Sequence, residues 1–246
     1  MTNNGIITML LPALNRPLTL AATLMFSSQA LAALSLDRII VYFDPDELPR
    51  QDMVVTNPDP ENLYLQTEVY NVINPGTDQE EHVLATDPSQ IKLLATPAKS
   101  VIPPNSRKTV RLVSLEKPTD KEAVYRVTFK PVVGDQEATQ SGVKILIAYQ
   151  ALIFVRPDNP VYNISAKVEG DQVVFSNSGN MHAVLRNGHY CQNDDPESCT
   201  PFAETGRVYA QESWTMPLPA GAAKGRGYID YGLFDGEFEE TQRFVL

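Results

Sequence analysis

Short runs of β-branched and aromatic residues recur about every ten positions along this chain, and each run ends at proline, glycine, asparagine or aspartate. Nothing constrains the fold more than this rhythm. The runs at 34–43 (LSLDRIIVYF), 63–72 (LYLQTEVYNV), 109–115 (TVRLVSL), 124–133 (VYRVTFKPVV) and 143–155 (VKILIAYQALIFV) read as strands. Within 63–72, Leu63, Leu65, Thr67 and Val69 share one face, and Tyr64, Gln66, Glu68 and Tyr70 share the other. Shorter strands are expected at 53–56 and 91–94. Nineteen prolines in 246 residues break helices at too many points for a bundle. The expectation is an all-β chain of antiparallel sandwiches.

The rhythm stops once. Arg156-Pro157-Asp158-Asn159-Pro160 places two prolines and two turn formers in five residues, which marks a hinge. Strands restart at 162–168, 173–176, 183–186, 207–210, 213–218, 227–233 and 241–245. The reading is therefore two sandwich domains, 33–156 and 157–246, joined by a short proline-containing hinge.

Residues 1–32 lie outside this pattern. Arg16 is their single charge, the apolar stretch Leu18 to Phe26 follows, and Ala30-Leu31-Ala32 supplies an A-x-A cleavage site. The apolar stretch is shorter than the ~20 residues a spanning helix needs. A cleaved signal peptide is expected, with a retained membrane anchor as the alternative. The rest of the chain is then exported, with no stable membrane insertion.

Export bears on the two cysteines. Cys191 and Cys199 are separated by a turn-forming spacer, and in an oxidising compartment they read as a disulfide. The alternative is a zinc site with His182 and His189. The spacing H-x6-H-x-C-x7-C matches no standard zinc pattern, so neither metal nor cofactor is expected. The net charge of -10, from 20 Lys and Arg against 30 Asp and Glu, argues against a nucleic-acid binder, which needs clustered cations. No G-x-S-x-G, H-E-x-x-H, Walker A or C-x-x-C motif occurs. The pairs Glu80-Glu81 and Glu239-Glu240 are neighbours in sequence, so on a strand their side chains diverge. No catalytic residue is expected, and the chain is not read as an enzyme.

Several segments, in order and in register, carry a family resemblance. Ser35-Leu36-Asp37-Arg38 followed by Ile39 to Phe43 resembles the first strand of PapD-like periplasmic pilus chaperones. So do Ala95-Thr96-Pro97 with Thr109-Val110-Arg111-Leu112, the long strand ending at Arg156-Pro157, and Asp230-Tyr231-Gly232. The resemblance implies two immunoglobulin-like β-sandwich domains in a boomerang arrangement. It also implies a periplasmic chaperone for fimbrial subunits, which inserts its G1 strand, about 143–155, into the open groove of its client and delivers that client to an outer-membrane usher. Val143, Ile145, Ile147 and Tyr149 would be the donor side chains. Leu146, Ala148, Leu152 and Phe154 would pack in the chaperone's own core. A free chaperone of this kind has an apolar edge that self-association can cover.

This sequence departs from the better-known branch. That branch carries a basic pair for the client's terminal carboxylate, and the two positions here are Ile40 and Leu152. The resemblance then shifts to the alternate, alpha-type branch, supported by Tyr125-Arg126-Val127 and the cysteine pair. With Tyr125, Val127 and Phe129 facing the core, Arg126 faces outward as a candidate carboxylate anchor, with Lys144 as a second candidate. Glu122, Arg156 and Asp230 match an interdomain ion-pair cluster in relatives. The alternative function is a two-domain structural fimbrial subunit or adhesin. Such subunits usually carry an exposed donor extension before their first strand, and here the first strand starts about two residues after the expected cleavage.

Overall fold

The computed structural model describes residues 34–116, 120–133 and 145–246. The expected signal peptide, together with Val143 and Lys144, lies outside the described residues.

Among the described residues ten strands precede the hinge: β1 (Ser35–Leu36), β2 (Ile40–Phe43), β3 (Arg50–Asn57), β4 (Leu63–Ile73), β5 (Glu81–Leu84), β6 (Leu93–Thr96), β7 (Lys99–Ile102), β8 (Ser106–Ser114), β9 (Ala123–Val132) and β10 (Tyr149–Val155). Eight follow it: β11 (Ile164–Glu169), β12 (Gln172–Asn177), β13 (Ala183–Cys191), β14 (Cys199–Pro201), β15 (Gly206–Val208), β16 (Ser213–Pro217), β17 (Tyr228–Phe234) and β18 (Glu239–Val245). The first set forms two sheets, β1-β3-β8-β6 and β2-β10-β9-β4-β5, with β7 also on β4. The second set forms β11-β12-β16 and β14-β13-β17-β18, with β15 on β13. These are two immunoglobulin-like sandwiches.

Each sandwich closes over its own core. Met53, Val55, Leu65, Leu112, Val127, Phe129 and Ile153 fill the first. Phe175, Leu185, Ile229, Tyr231 and Leu233 fill the second, where Phe175 meets Tyr231 and Phe244 edge-on at 5.4 and 5.2 Å. Burial pushes the Tyr231 hydroxyl pKa upward, and the hydroxyl donates to the Glu204 carbonyl at 3.0 Å. The alternation expected for 63–72 holds: Leu63, Leu65 and Thr67 are buried, while Tyr64, Gln66 and Glu68 are half-buried on the opposite face.

The first expected strand is divided in two. Asp37 interrupts it by accepting the Val54 N–H at 2.8 Å while its own N–H donates to the Val54 carbonyl at 3.1 Å. β1 therefore stays antiparallel to β3, whereas β2 crosses to the other sheet and runs parallel to β10. Cys191 and Cys199 are disulfide-bonded across the β13–β14 pair. Both sulfurs are thereby used, which removes the zinc alternative.

The two sandwiches meet at a third apolar cluster. Val72, Val124 and Phe154 come from the first and Tyr209 from the second, with Ile40, Tyr42 and Leu152 packed around them. His182, fully buried, stacks on Phe154 with ring centroids 3.9 Å apart. Its Nδ1 lies 2.7 Å from Glu122 Oε2, and its backbone N–H donates to the same oxygen at 3.1 Å. With Glu122 as a carboxylate, which only accepts, the ring proton is assigned to Nδ1. Arg156 leaves β10, stacks over the Tyr42 ring at 4.9 Å, donates to Asp44 at 2.6 Å and donates to the Asp235 carbonyl of the second sandwich.

Two stability changes follow from these contacts. Replacing Cys191 and Cys199 together with alanine is expected to lower the unfolding free energy by about 2–3 kcal/mol, read as an earlier urea midpoint. Glu122→Ala strips both His182 donors of their acceptor and is expected to cost about 2–4 kcal/mol. Glu122→Gln keeps an acceptor oxygen and should cost less; equal losses for the two variants would remove this hydrogen bond as the cause.

Candidate partner-binding site

The site is built around β10. Ala151, Ile153 and Val155 point into the core of the first sandwich, and Tyr149 packs against it. Leu152 and Phe154 point the other way, into the cluster between the sandwiches. The expectation that Leu152 and Phe154 fill the chaperone's own core is corrected here. The pleat is as expected, but both faces of this half of β10 are covered, and the odd-numbered face is the one inside the sandwich.

Before Tyr149 the strand pairing ends. The register between β10 and β9 begins at Tyr149 opposite Phe129. Lys130, Pro131 and Val132 of β9 continue against β4 on one side and meet no strand on the other among the described residues. Ile145 to Ala148 belong to no sheet. Ile145 is 79 % exposed and Ile147 is 53 % exposed. Two large aliphatic side chains thus stand in solvent two positions apart, and the end of β9 is unpaired on this side among the described residues. Each would gain about 1.5–3 kcal/mol on full burial.

Arg126 faces outward from β9, with Tyr125, Val127 and Phe129 buried as expected. Its partners in the sheets are Leu152 on β10 and Tyr70 on β4, so it shares the outer face with the interdomain cluster. It donates to Gln150 Oε1 at 3.2 Å and to Glu80 Oε1 at 3.3 Å. Glu80 in turn accepts from the Gly76 N–H at 2.7 Å and lies 2.8 Å from His82 Nε2. Burial works against the Glu80 carboxylate, but the Gly76 N–H, His82 and Arg126 outweigh it and hold its pKa below the usual carboxylate range.

Glu122, Arg156 and Asp230 are not brought together. Glu122 bonds His182, and Arg156 bonds Asp44 and Asp235. Asp230 accepts from Arg243 at 3.1 and 3.2 Å within the β17–β18 pair, and Arg243 also reaches Asp194. His182, Asp44 and Asp235 were missed by sequence reasoning. A lone histidine between Met181 and Ala183 gives no signal that it will meet Glu122, 60 residues away.

A second cation lies near the seam. Arg207, in the middle of β15, holds its Cζ 5.2 Å from the centre of the Phe154 ring and 5.9 Å from that of Tyr209. Among the described residues no helix is long and apolar enough to cross a membrane.

Comparison with known proteins agrees with this architecture. The solved structure of the class 5 fimbriae chaperone CfaA superposes with a TM-score of 0.65 at 24 % identity, covering 87 % of this chain and 99 % of that one. The SafB chaperone, solved in complex with the Salmonella enterica SafA pilin, gives 0.62 at 17 % identity over 89 % and 99 %. In sequence, a protein named for the CFA/I fimbriae of Escherichia coli is 29 % identical over 161 residues, 61 % of this chain and 66 % of that protein. Another, named for the CS1 fimbriae of Escherichia coli, is 28 % identical over 145 residues, 54 % of this chain and 60 % of that protein. The matched stretches thus span about two thirds of these relatives or less. The family model for the PapD N-terminal domain matches residues 33–160, just over half of the sequence, so the chain belongs to the family of pili and flagellar-assembly chaperones.

Proposed function

We propose that this protein binds fimbrial subunits in the periplasm by donor-strand complementation, using the segment that leads into β10, and passes them to an outer-membrane usher. The observation that carries the reading is the exposure of Ile145 and Ile147, in the segment just before β10, where the end of β9 has no second partner among the described residues. A strand-deficient partner gains from this segment two things it lacks: a row of backbone hydrogen-bonding groups and alternate apolar side chains. Tyr149, half-buried at the start of the regular strand, ends the exposed series. Val143 would extend it in the other direction. The solved SafB and CfaA relatives are chaperones by name, and SafB is seen with a pilin.

Arg126 is the proposed anchor for a carboxylate of the partner, with Lys144 as the second candidate. Arg126 projects from the strand next to β10, and guanidinium–carboxylate pairing is directional and bidentate. In this reading the Glu122–His182 and Arg156 contacts hold the two sandwiches in one orientation rather than touching the partner. The protein acts as a folding template and not as an enzyme, and a signal peptide over residues 1–32 delivers it to the periplasm.

The double substitution Ile145→Asp with Ile147→Asp is the direct check. Both side chains are exposed, so folding stability should stay within about 0.5 kcal/mol of the original. Recovery of a co-expressed fimbrial subunit, taken from the same genetic neighbourhood and purified from the periplasm, should fall at least a hundredfold, since two apolar contacts of about 1.5–3 kcal/mol each are lost. The surface change Glu237→Ala should leave recovery intact. Undiminished recovery with the double variant would remove the donor role from this segment.

A further inference from the structure

Arg207 differs from the other arginines that face this region. Arg126 is paired with Glu80 at 3.3 Å and Arg156 with Asp44 at 2.6 Å. Arg207 makes no ion pair or hydrogen bond with any described residue; its Nε is buried without a partner, as are the Nε atoms of Arg126 and Arg156, but those two are paired through their terminal nitrogens. A buried donor left unmade is costly, and native structures keep few of them. The guanidinium is not loosely held. Its neighbour Val208 is buried in the core of the second sandwich, so the Arg207 side chain emerges on the opposite face, the one that carries Tyr209 into the seam. There it lies against the Phe154 and Tyr209 rings. Rings on its faces satisfy the cation in part and leave the donors at its edge unused. The residue as a whole is half-buried.

The ligand chemistry follows. A planar fork of N–H donors matches two coplanar oxygens, as in a carboxylate. Its charge also acts on the Tyr42 hydroxyl, and Glu122 and Asp235 oppose it there. The position suits a polypeptide as well. Phe154 lies two residues beyond Leu152 on the same face of β10, about 7 Å along the strand, and Leu152 is opposite Arg126.

We propose that Arg207 is a carboxylate-binding residue of the partner site, contributed by the second sandwich, so that a partner's carboxylate is gripped from both domains. This rests on the donor-strand reading above. It adds that the uncompensated cation is Arg207, whereas Arg126 already has Glu80 as an internal counter-ion.

The test has two arms. In the first, sodium acetate is titrated into the full chain while the arginine Nε–Hε resonances are followed by NMR, with acetamide as the neutral control. The Arg207 signal is assigned by its loss in Arg207→Lys. A saturable shift of that signal with acetate and none with acetamide is expected. A uniform drift of all arginine signals would be salt screening and would overturn the proposal. In the second arm, Arg207→Gln is co-expressed with the fimbrial subunit. Complex recovery should fall about tenfold at an unchanged melting temperature, and Arg207→Lys should restore part of it. Full recovery with Arg207→Gln overturns the proposal, while loss of recovery with the Ile145→Asp, Ile147→Asp pair still upholds the donor strand. If the original chain recovers no client, the donor-strand reading falls and this proposal falls with it.

Discussion

The pleat of a single strand organises this molecule. Successive side chains on β10 point to opposite faces, and its last residues are buried on both: Ile153 in the first sandwich and Phe154 in the seam, each with no exposure to solvent. A strand so held cannot slip by one residue without exchanging the two faces. The register of β10 against β9 and β2 therefore fixes where the preceding segment leaves the sheet. Ile145 and Ile147 are exposed because the same chain is locked a few residues later. A donor segment needs this combination of a fixed root and a free row of side chains.

The seam extends that constraint to the second domain. Phe154 is the common element, stacked on His182 from one sandwich and on Tyr42 from the other, with centroids 3.9 and 5.4 Å away. Glu122 and Arg156 then supply direction. Glu122 takes two hydrogen bonds from His182, and Arg156 ties the end of β10 to Asp44 and to the Asp235 carbonyl. Apolar contact at the seam is tolerant of sliding, whereas hydrogen bonds between buried polar groups are not. Polar contacts between the sandwiches thus gather around one aromatic ring.

Much of this was legible in the sequence because it is local. Alternation over residues 63–72 marks a strand with one buried face, and β4 shows it. The cysteine pair, close in sequence and separated by turn formers, forms its disulfide within one hairpin. Partners distant in sequence were harder to see. Asp37 looks like part of a strand until its carboxylate takes the Val54 N–H. Asn177 reads as a turn residue, yet it is buried, donates to the Met181 and Val208 carbonyls and accepts from the Asn163 and Gly179 N–H groups. Leu152 and Phe154 were assigned to the wrong apolar surface for a related reason. Periodicity tells how many faces a strand buries but not which neighbour covers each one.

The same packing accounts for where the cations sit. Ile40 and Leu152, at the positions where the better-known relatives carry a basic pair, are packed against the interdomain cluster with Phe154 and Tyr209. Both are half-buried, so a long cationic side chain at either position would share the apolar contact along its stem. The cations near this face stand on elements whose alternation turns one residue outward while a neighbour stays in a core. Arg126 between Tyr125 and Val127, and Arg207 between Gly206 and Val208, are placed in that way.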